Sequence, residues 1–403
     1  MVASQVVVTG IGAITPLGGD AASTWEALLA GRSGIVTGRL EHVGDFTAGL
    51  MAVDPADLLP AVRARTLDRS QQAALVAARE AWHDAGAPDV DPHRFATCVG
   101  TGIGGMASLL REDDKLENAG VRRVSPRTVP LLMPNAASAA VSIEFGARAG
   151  VYTPVSACAS GAEALALGAR LIRAGEVDIV VAGGTDAAVA PITVAGFRQT
   201  RGLSQYAGDP ADASRPFAAD RDGFVLAEGA GCVVLESADH ARGRGARIRG
   251  VLAGAGVASD AHHMTAPAPD GSGQVAAMRK ALSQAGLDPS EIGHVNAHAT
   301  GTPVGDIAEA LAIREVFGRA TVTAPKAALG HLFGGAGAVE AIIALLSIEH
   351  GVLPPTRNLS AAGVDPEIGL DVVTRRREIA QRAVLSNSFG FGGQNVSLVL
   401  SGN

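Results

Sequence analysis

Short apolar runs that read as buried strands alternate with helical patterns along the whole chain, and this alternation limits the fold more than any other feature. Val6-Val7-Val8-Thr9 precedes a helical pattern over 22–30, a helix over 70–85 leads into Ala96-Thr97-Cys98-Val99-Gly100, and one over 160–174 leads into Asp178-Ile179-Val180-Val181-Ala182. Strands this uniformly apolar belong inside an α/β sheet covered by helices. After the strand-like 231–236 comes a charged stretch, 237–247, and the alternation restarts at Ile248. A boundary is therefore expected near 245, dividing the chain into 1–245 and 246–403. The second part repeats the order of the first in shorter form: strand 248–257, helix 272–285, strand 293–297, helices 304–317 and 335–349, then strands near 371–374, 383–386 and 395–400. No short sequence repeat accompanies this, so the duplication is structural. The segment 200–223 has neither period and reads as a long ordered loop of the kind that frames a site.

Composition narrows the class. With 47% hydrophobic and 18% charged residues the chain can build a large core, and with 51 Gly against 3% aromatic residues that core is aliphatic and closely packed. No apolar run is expected to reach the length of a membrane span, since Glu163 and Arg170 interrupt the Ala-rich stretch 158–172. The start of the chain has neither a basic nor a cleavable apolar region, which implies a cytoplasmic location. A net charge of -7 argues against nucleic acid as a partner. Three Cys (Cys98, Cys158, Cys232), none in a CxxC pair, make neither a disulfide framework nor a zinc site, so any special Cys is a nucleophile.

Three places can do chemistry. In Pro154-Val155-Ser156-Ala157-Cys158-Ala159-Ser160-Gly161 an extended run meets a small-residue turn and then a helix. Cys158 is thereby placed at the first helical turn, where free N–H groups and the positive dipole end favour a thiolate and a lowered pKa. Cys98 and Cys232, inside apolar strand runs, read as structural. In Asn296-Ala297-His298-Ala299-Thr300-Gly301-Thr302-Pro303 a strand ends in a polar turn with an imidazole and two hydroxyls, at the kind of strand end where α/β proteins bind ligands. In Lys326-Ala327-Ala328-Leu329-Gly330-His331 a Lys and a second His lead into an apolar helix. Lys326 is either exposed to solvent or buried with Glu340 as its nearest carboxylate. The run Ser386-Asn387-Ser388-Phe389-Gly390-Phe391-Gly392-Gly393 adds a glycine turn whose N–H groups suit an oxyanion and whose Phe rings suit a gate.

In order along the chain, these blocks resemble the signatures of the elongating β-ketoacyl-acyl-carrier-protein synthases, most of all the KAS II kind. The opening Val8-Thr9-Gly10-Ile11-Gly12-Ala13-Ile14-Thr15-Pro16-Leu17-Gly18 and the blocks Ser214-Arg215-Pro216-Phe217 and Glu228-Gly229-Ala230-Gly231 resemble that family too, so the likeness spans the chain. The resemblance implies the thiolase-like fold, duplicated α/β halves in a five-layered αβαβα core, usually as a dimer. It implies Cys158 as the acyl-accepting nucleophile, with His298 and His331 gripping the thioester of malonyl-carrier protein. Lys326 and Glu340 would form a buried pair, Asp306 a supporting acid, and the N–H groups of Cys158 and Phe391 the oxyanion hole. Thr300 and Thr302 would bind the pantetheine arm. Phe391 would gate an acyl tunnel involving Phe197, Met106, Met133, Leu131 and Leu132. Arg63, Arg65, Arg69, Arg122, Arg123 and Arg201 are candidates for the carrier-protein surface. No cofactor or metal is implied beyond the carrier protein's phosphopantetheine. Ala299, Gly301 and Gln394 depart from many relatives, which bears on specificity rather than on reaction class.

The rival readings are weaker. Gly10-Ile11-Gly12 and Gly100-Thr101-Gly102-Ile103-Gly104-Gly105 invite comparison with dinucleotide turns, but neither precedes a second strand ending in an acid. A silent chain-length factor would lack Cys158, and a thiolase would need a second Cys where Gly392 stands. The alternative that stays open is a ketosynthase of a specialised type II polyketide or polyene pathway, acting as a heterodimer with a chain-length factor.

Overall fold

The computed structural model describes residues 4–359 and 363–403. Its main strands are β1 (Val6–Ile14), β2 (Phe95–Gly100), β3 (Gly150–Tyr152), β4 (Ile179–Asp186), β5 (Gly229–Ser237), β6 (Gly250–Ser259), β7 (Ile292–Asn296), β8 (Thr321–Thr323), β9 (Asp371–Val372), β10 (Ala383–Gly390) and β11 (Gln394–Ser401). They pair in the order β9-β8-β7-β10-β11-β6-β1-β5-β4-β2-β3. Outward from β1, the neighbours β5 and β4 add antiparallel, then β2 and β3 parallel. Outward from β6, the neighbours β11 and β10 add antiparallel, then β7 and β8 parallel. The two arrays meet only through Val7–Val251 and Val8–Gly250. The duplication expected from the order of elements is present over five strands of each array, and β9 adds a sixth, parallel to β8, in the second.

Six helices complete the layers: α1 (Arg69–Asp84), α2 (Ala136–Phe145), α3 (Ser160–Arg173), α4 (Ser272–Ala285), α5 (Pro303–Phe317) and α6 (Ala336–His350). α1 and α2 cover one face of the β1 array, with Leu75 and Ala77 of α1 packed against Ile14, Val99 and Val234. α4 and α5 cover the outer face of the β6 array, with Met278 and Ile313 against Val295, Leu385 and Val399. Between the arrays lie α3 and α6, whose Leu165, Ile172, Ile342 and Leu345 share one core with Val180 and Leu235 on one side and Leu398 and Leu400 on the other. The result is αβαβα, the thiolase-like fold.

Small residues let the layers close. A Cβ on Gly12 of β1 would collide with the carbonyl of Ala77, and one on Gly256 of β6 with that of Ala277. Each glycine thus seats the helix that covers its own strand, by the same contact in both halves.

The central helix corrects one expectation. Phe333–His350, which is α6 with its lead-in turn, is 18 residues long and apolar enough to cross a membrane by length and composition, but 83% of it is buried inside the protein. It is all-round apolar because it has protein on both faces. Two further elements lie outside those expected from the sequence. They are the hairpin Ile35–Leu40/Gly44–Gly49 and the helix Met106–Ala119, which buries only Ser108 and Glu112.

Candidate active site

Cys158 lies in a single 3-10 turn, Ala157–Ala159, that connects the β3 edge to α3. The turn is sharp because Ala157 adopts the left-handed region at φ 51°, a conformation that costs a non-glycine residue of order 1–3 kcal/mol and must be held by its surroundings. Ser160 provides part of the hold: its hydroxyl donates to the Ala157 carbonyl at 2.7 Å and accepts the Ser156 N–H at 2.9 Å. Gly390 packs so tightly on this elbow that a Cβ would come 2.7 Å from the Ser156 carbonyl. That approach brings the N–H of Phe391 to the Cys158 sulfur, beside the N–H of Cys158 itself. The thiol does not behave as the helix end alone predicts. Burial pushes it up to about 12, outweighing the opposing Lys326 charge and the Phe391 N–H, so the resting group is a thiol. Cys98 and Cys232 are buried in β2 and β5, as expected.

His298 follows β7 and is buried, with Nδ1 3.3 Å from Lys326 Nζ. Lys326 is buried too, and its ammonium donates to Glu340 Oε1 at 2.5 Å, which settles the choice between exposure and pairing. Since an ammonium can only donate, His298 Nδ1 accepts and its proton is assigned to Nε2. Burial raises Glu340 to about 7 against the pull of Lys326. Among the described residues His331 has no hydrogen-bond partner on either ring nitrogen; the ring packs edge-on to Phe224 at 5.8 Å and tilted on Phe333 at 5.1 Å. The two imidazoles meet at 5.4 Å with rings nearly perpendicular. Burial, then the Lys326 charge, holds both well below the usual imidazole range, so both are neutral.

One cavity of about 420 Å³ is lined by Cys158, His298, His331, Phe391, Phe197, Thr300 and Thr302. Thr300 and Thr302 hold their hydroxyls 3.1 Å apart. Phe391 is 40% exposed at the rim and lies 6.3 Å from the Phe197 ring. The chain matches the β-ketoacyl synthase N-terminal domain over residues 3–241 and the C-terminal domain over 249–360. It belongs to the β-ketoacyl synthase family.

The synthase is 44% identical over 402 residues to 3-oxoacyl-acyl-carrier-protein synthase 2 of Mycobacterium tuberculosis, covering 98% of this chain and 96% of that one. It is 39% identical to the enzyme of the same name from Coxiella burnetii over 410 residues, covering 98% of each. Among solved structures it superposes on a type II polyketide acyl-carrier protein in complex with its ketosynthase, with a TM-score of 0.91 at 29% identity, covering 99% and 100% of the two chains. The ishigamide ketosynthase/chain length factor gives a TM-score of 0.90 at 35% identity, covering 99% of each. The synthase is an acyl-transferring, carbon–carbon bond-forming enzyme of fatty-acid elongation.

Several supporting groups of the synthase were not singled out in the sequence. Glu309, on the same face of α5 as Asp306, accepts the backbone N–H groups of His298 at 2.8 Å and Ala299 at 2.7 Å. Asp306 accepts from Gly301 at 3.0 Å and Phe217 at 2.8 Å, so the two acids together fix the 298–302 turn. The signal was present: two carboxylates three residues apart on a helix that is otherwise apolar inward. Asp186, at the end of β4, is a third buried carboxylate beside the elbow. Asp260 bonds Asn395 at 2.6 Å and receives nothing in sequence to mark it.

Other expected residues fall outside the cavity. Met106 begins the helix Met106–Ala119 and Met133 is 37% exposed, and neither lines the cavity; Leu131 and Leu132 do not line it either. Arg69 is no free surface cation, because it pairs with Glu228 at 2.9 Å and Asp54 at 3.1 Å. Arg65, Arg122, Arg123 and Arg201 are exposed, and Arg63 is half-buried. Among the described residues no group of three or more His, Cys, Asp or Glu side chains is arranged to hold a metal.

Proposed function

We propose that Cys158 carries the growing acyl chain and that His298 and His331 drive decarboxylation of malonyl-carrier protein in the same cavity. The observation that carries this reading is the convergence of one thiol and two neutral imidazoles on a cavity beside which Lys326 is locked behind His298 by Glu340. In the first half-reaction the Cys158 sulfur attacks the thioester of an acyl-carrier protein. The bond to the pantetheine sulfur breaks, and that sulfur leaves with the proton that Cys158 gives up. In the second, the malonyl thioester oxygen takes hydrogen bonds from His298 Nε2 and His331. The bond to the malonyl carboxylate breaks, carbon dioxide leaves, and the electron pair becomes an enolate stabilised by those donors. Its carbon attacks the acyl-Cys158 carbonyl, whose oxyanion faces the N–H groups of Phe391 and Cys158. Collapse releases the β-ketoacyl chain on its carrier, and the Cys158 sulfur takes up a proton.

Neutral imidazoles suit this scheme, since each must donate without surrendering its proton. Thr300 and Thr302 would bond the pantetheine arm, and Phe391 would close the cavity. Arg122, Arg123 and Arg201, exposed on an otherwise acidic protein, would receive an acidic carrier protein. The strand β3 is a sheet edge with Val151 and neighbouring Ile143 and Val155 exposed, which supports a dimer through that edge. A division of the chain near 245 and a cytoplasmic location complete the reading.

Single-turnover condensation tests it, with acyl-carrier proteins of increasing length, malonyl-carrier protein and intact-protein mass spectrometry on the wild type and Cys158→Ala. A saturated acyl adduct at Cys158 followed by a β-keto product two carbons longer is expected. Turnover only with β-keto or polyunsaturated chains, or only with an added partner subunit, would move the enzyme to polyketide assembly. No adduct on Cys158 would overturn the reading.

A further inference from the structure

The glycine run Gly100–Gly105, which in sequence invites comparison with a nucleotide turn, has its N–H groups taken up inside the protein. Asp186 is fully buried, and its carboxylate accepts from Thr101 Oγ1 at 2.7 Å, Gly102 N at 2.8 Å, Ile103 N at 3.3 Å and Gly334 N at 2.7 Å. All these partners are neutral, and the backbone N–H groups can only donate, so they call for acceptors on both oxygens, as an ionised carboxylate supplies. Gly102 and Ile103 form the cavity wall beside Cys158, while Gly334 lies in the turn Phe333–Gly335 that follows His331, whose own backbone is bridged to Leu226. On the other side, the Ser160 hydroxyl that braces the Cys158 elbow also lies 3.1 Å from the Thr101 carbonyl. The Thr101 N–H donates to the Pro154 carbonyl at 3.2 Å, so contacts run from the elbow segment through Thr101 and Asp186 to the turn that follows His331. Both ends of this path are strained, with Ala157 at φ 51° and Phe333 at φ 48°. The crossings are too close for side chains: a Cβ on Gly102 would stand 3.0 Å from Asp186 Oδ2, and one on Gly334 2.8 Å from it.

We propose that Asp186 is a positioning residue for the condensation, fixing the His331 turn against the wall that carries Cys158. The proposal rests on the reading of Cys158 and His331 given above. Its physical ground is that the His331 ring makes no hydrogen bond among the described residues, so its place is set by its backbone, which is bridged to Leu226 on one side and runs on the other into the turn that Asp186 holds at Gly334. Misplacement of a reacting group by about 1 Å can lower a rate on the order of 100-fold.

Two partial reactions separate the ends of the path in Asp186→Asn, which sets an NH₂ against N–H donors. Malonyl-carrier-protein decarboxylation, which needs His331, is expected to fall roughly 10- to 100-fold. Acyl transfer to Cys158 is expected to hold within a few-fold, and Asp186→Glu, which keeps the charge, recovers part of the decarboxylation. A second readout is alkylation of Cys158 by iodoacetamide against pH. The thiol faces Lys326, Asp186, His298 and His331, and the Asp186 charge raises its pKa, so Asp186→Asn is expected to move the profile to lower pH. Since loss of the Asp186 charge moves that profile by itself, what a merely structural role would not give is the unequal loss of the two partial reactions with partial recovery in Asp186→Glu. Should Asp186→Asn fail to fold by circular dichroism, Thr101→Val removes one donor and is expected to show the same imbalance at smaller size. Equal loss of both partial reactions, or no loss, overturns the proposal. A wild type that alkylates at Cys158 yet accepts no acyl chain overturns the functional reading instead, and leaves the decarboxylation of malonyl-carrier protein to judge Asp186.

Discussion

Lys326 lies behind His298 and not in the cavity, its Nζ 3.3 Å from the ring Nδ1. It therefore sets the imidazole's tautomer while remaining out of reach of substrate. Its own burial is tolerated because Glu340 takes the charge at 2.5 Å. Removing one partner strands the other, which costs about 3–5 kcal/mol, whereas replacing both with apolar groups is often neutral. Lys326→Met is expected to lower the thermal midpoint by several degrees and abolish condensation. Lys326→Met/Glu340→Leu is expected to restore the midpoint without restoring activity, as calorimetry and the turnover assay would show. Recovery of both would mean that Lys326 serves stability alone.

The neutrality of the imidazoles has a signature in pH. A free imidazole titrates near 6.5. Burial and Lys326 hold His298 and His331 well below that, so both keep their donor-acceptor form as the solution is acidified. Neither imidazole is expected to give malonyl-carrier-protein decarboxylation an inflection between about pH 8 and 6, where the group of this network that titrates is Glu340, near 7. An inflection near 6.5 that vanishes in His298→Gln would contradict the assignment.

Glu309 holds the His298 backbone rather than its ring, accepting two adjacent N–H groups and the Asn387 amide at 3.2 Å. Glu309→Gln keeps the size but turns a donor toward donors, at about 1–3 kcal/mol for each buried group left unmatched. The variant is expected to lose decarboxylation more than it loses acyl transfer, and to melt earlier. Equal activity would show that Asp306 alone suffices to hold the turn.

Away from the site, Glu80 of α1 accepts the N–H groups of Ala13 at 2.8 Å and Ala21 at 2.9 Å. Burial raises its pKa from 4.5 to about 7, with Asp20 and Asp84 pushing the same way. A carboxyl whose folded pKa is raised stabilises the fold fully below its unfolded value, and that contribution fades as pH rises from 4.5 through about 7. Urea midpoints of the wild type are expected to fall across this window more steeply than those of Glu80→Gln. Parallel slopes would exclude Glu80 as their source.

What could be read from sequence follows from periodicity. α3, α4 and α5 were legible to within about a residue because apolar and small side chains recur on a helical period, and β1, β4 and β5 because they are apolar on both faces. The helix Met106–Ala119 was not, although Met106, Leu109, Leu110 and Leu116 recur at helical spacing, and it leaves Leu109 and Leu116 exposed. Cys158, His298, Lys326 and His331 announced themselves as reactive types in turns. Glu309, Asp186 and Asp260 did not, because their work is to accept backbone N–H groups from turns that only the fold brings to them, across 11, 84 and 8 positions of sequence. The thiol's pKa was misjudged for a related reason: the helix end is local and visible in sequence, whereas the burial that outweighs it is a property of the assembled layers.

α6 is among the last elements the ribosome delivers, yet α3 and both sheet arrays need it. Roughly a hundred residues separate the end of β5 from the end of α6, a delay on the order of 5–20 s at typical synthesis rates. For that interval the emerged first half has no cover for the apolar face of α3, and the segment that will provide it leaves the ribosome looking like a membrane anchor. Aggregation and mistargeting during synthesis, rather than any weakness of the finished protein, are where this architecture is vulnerable.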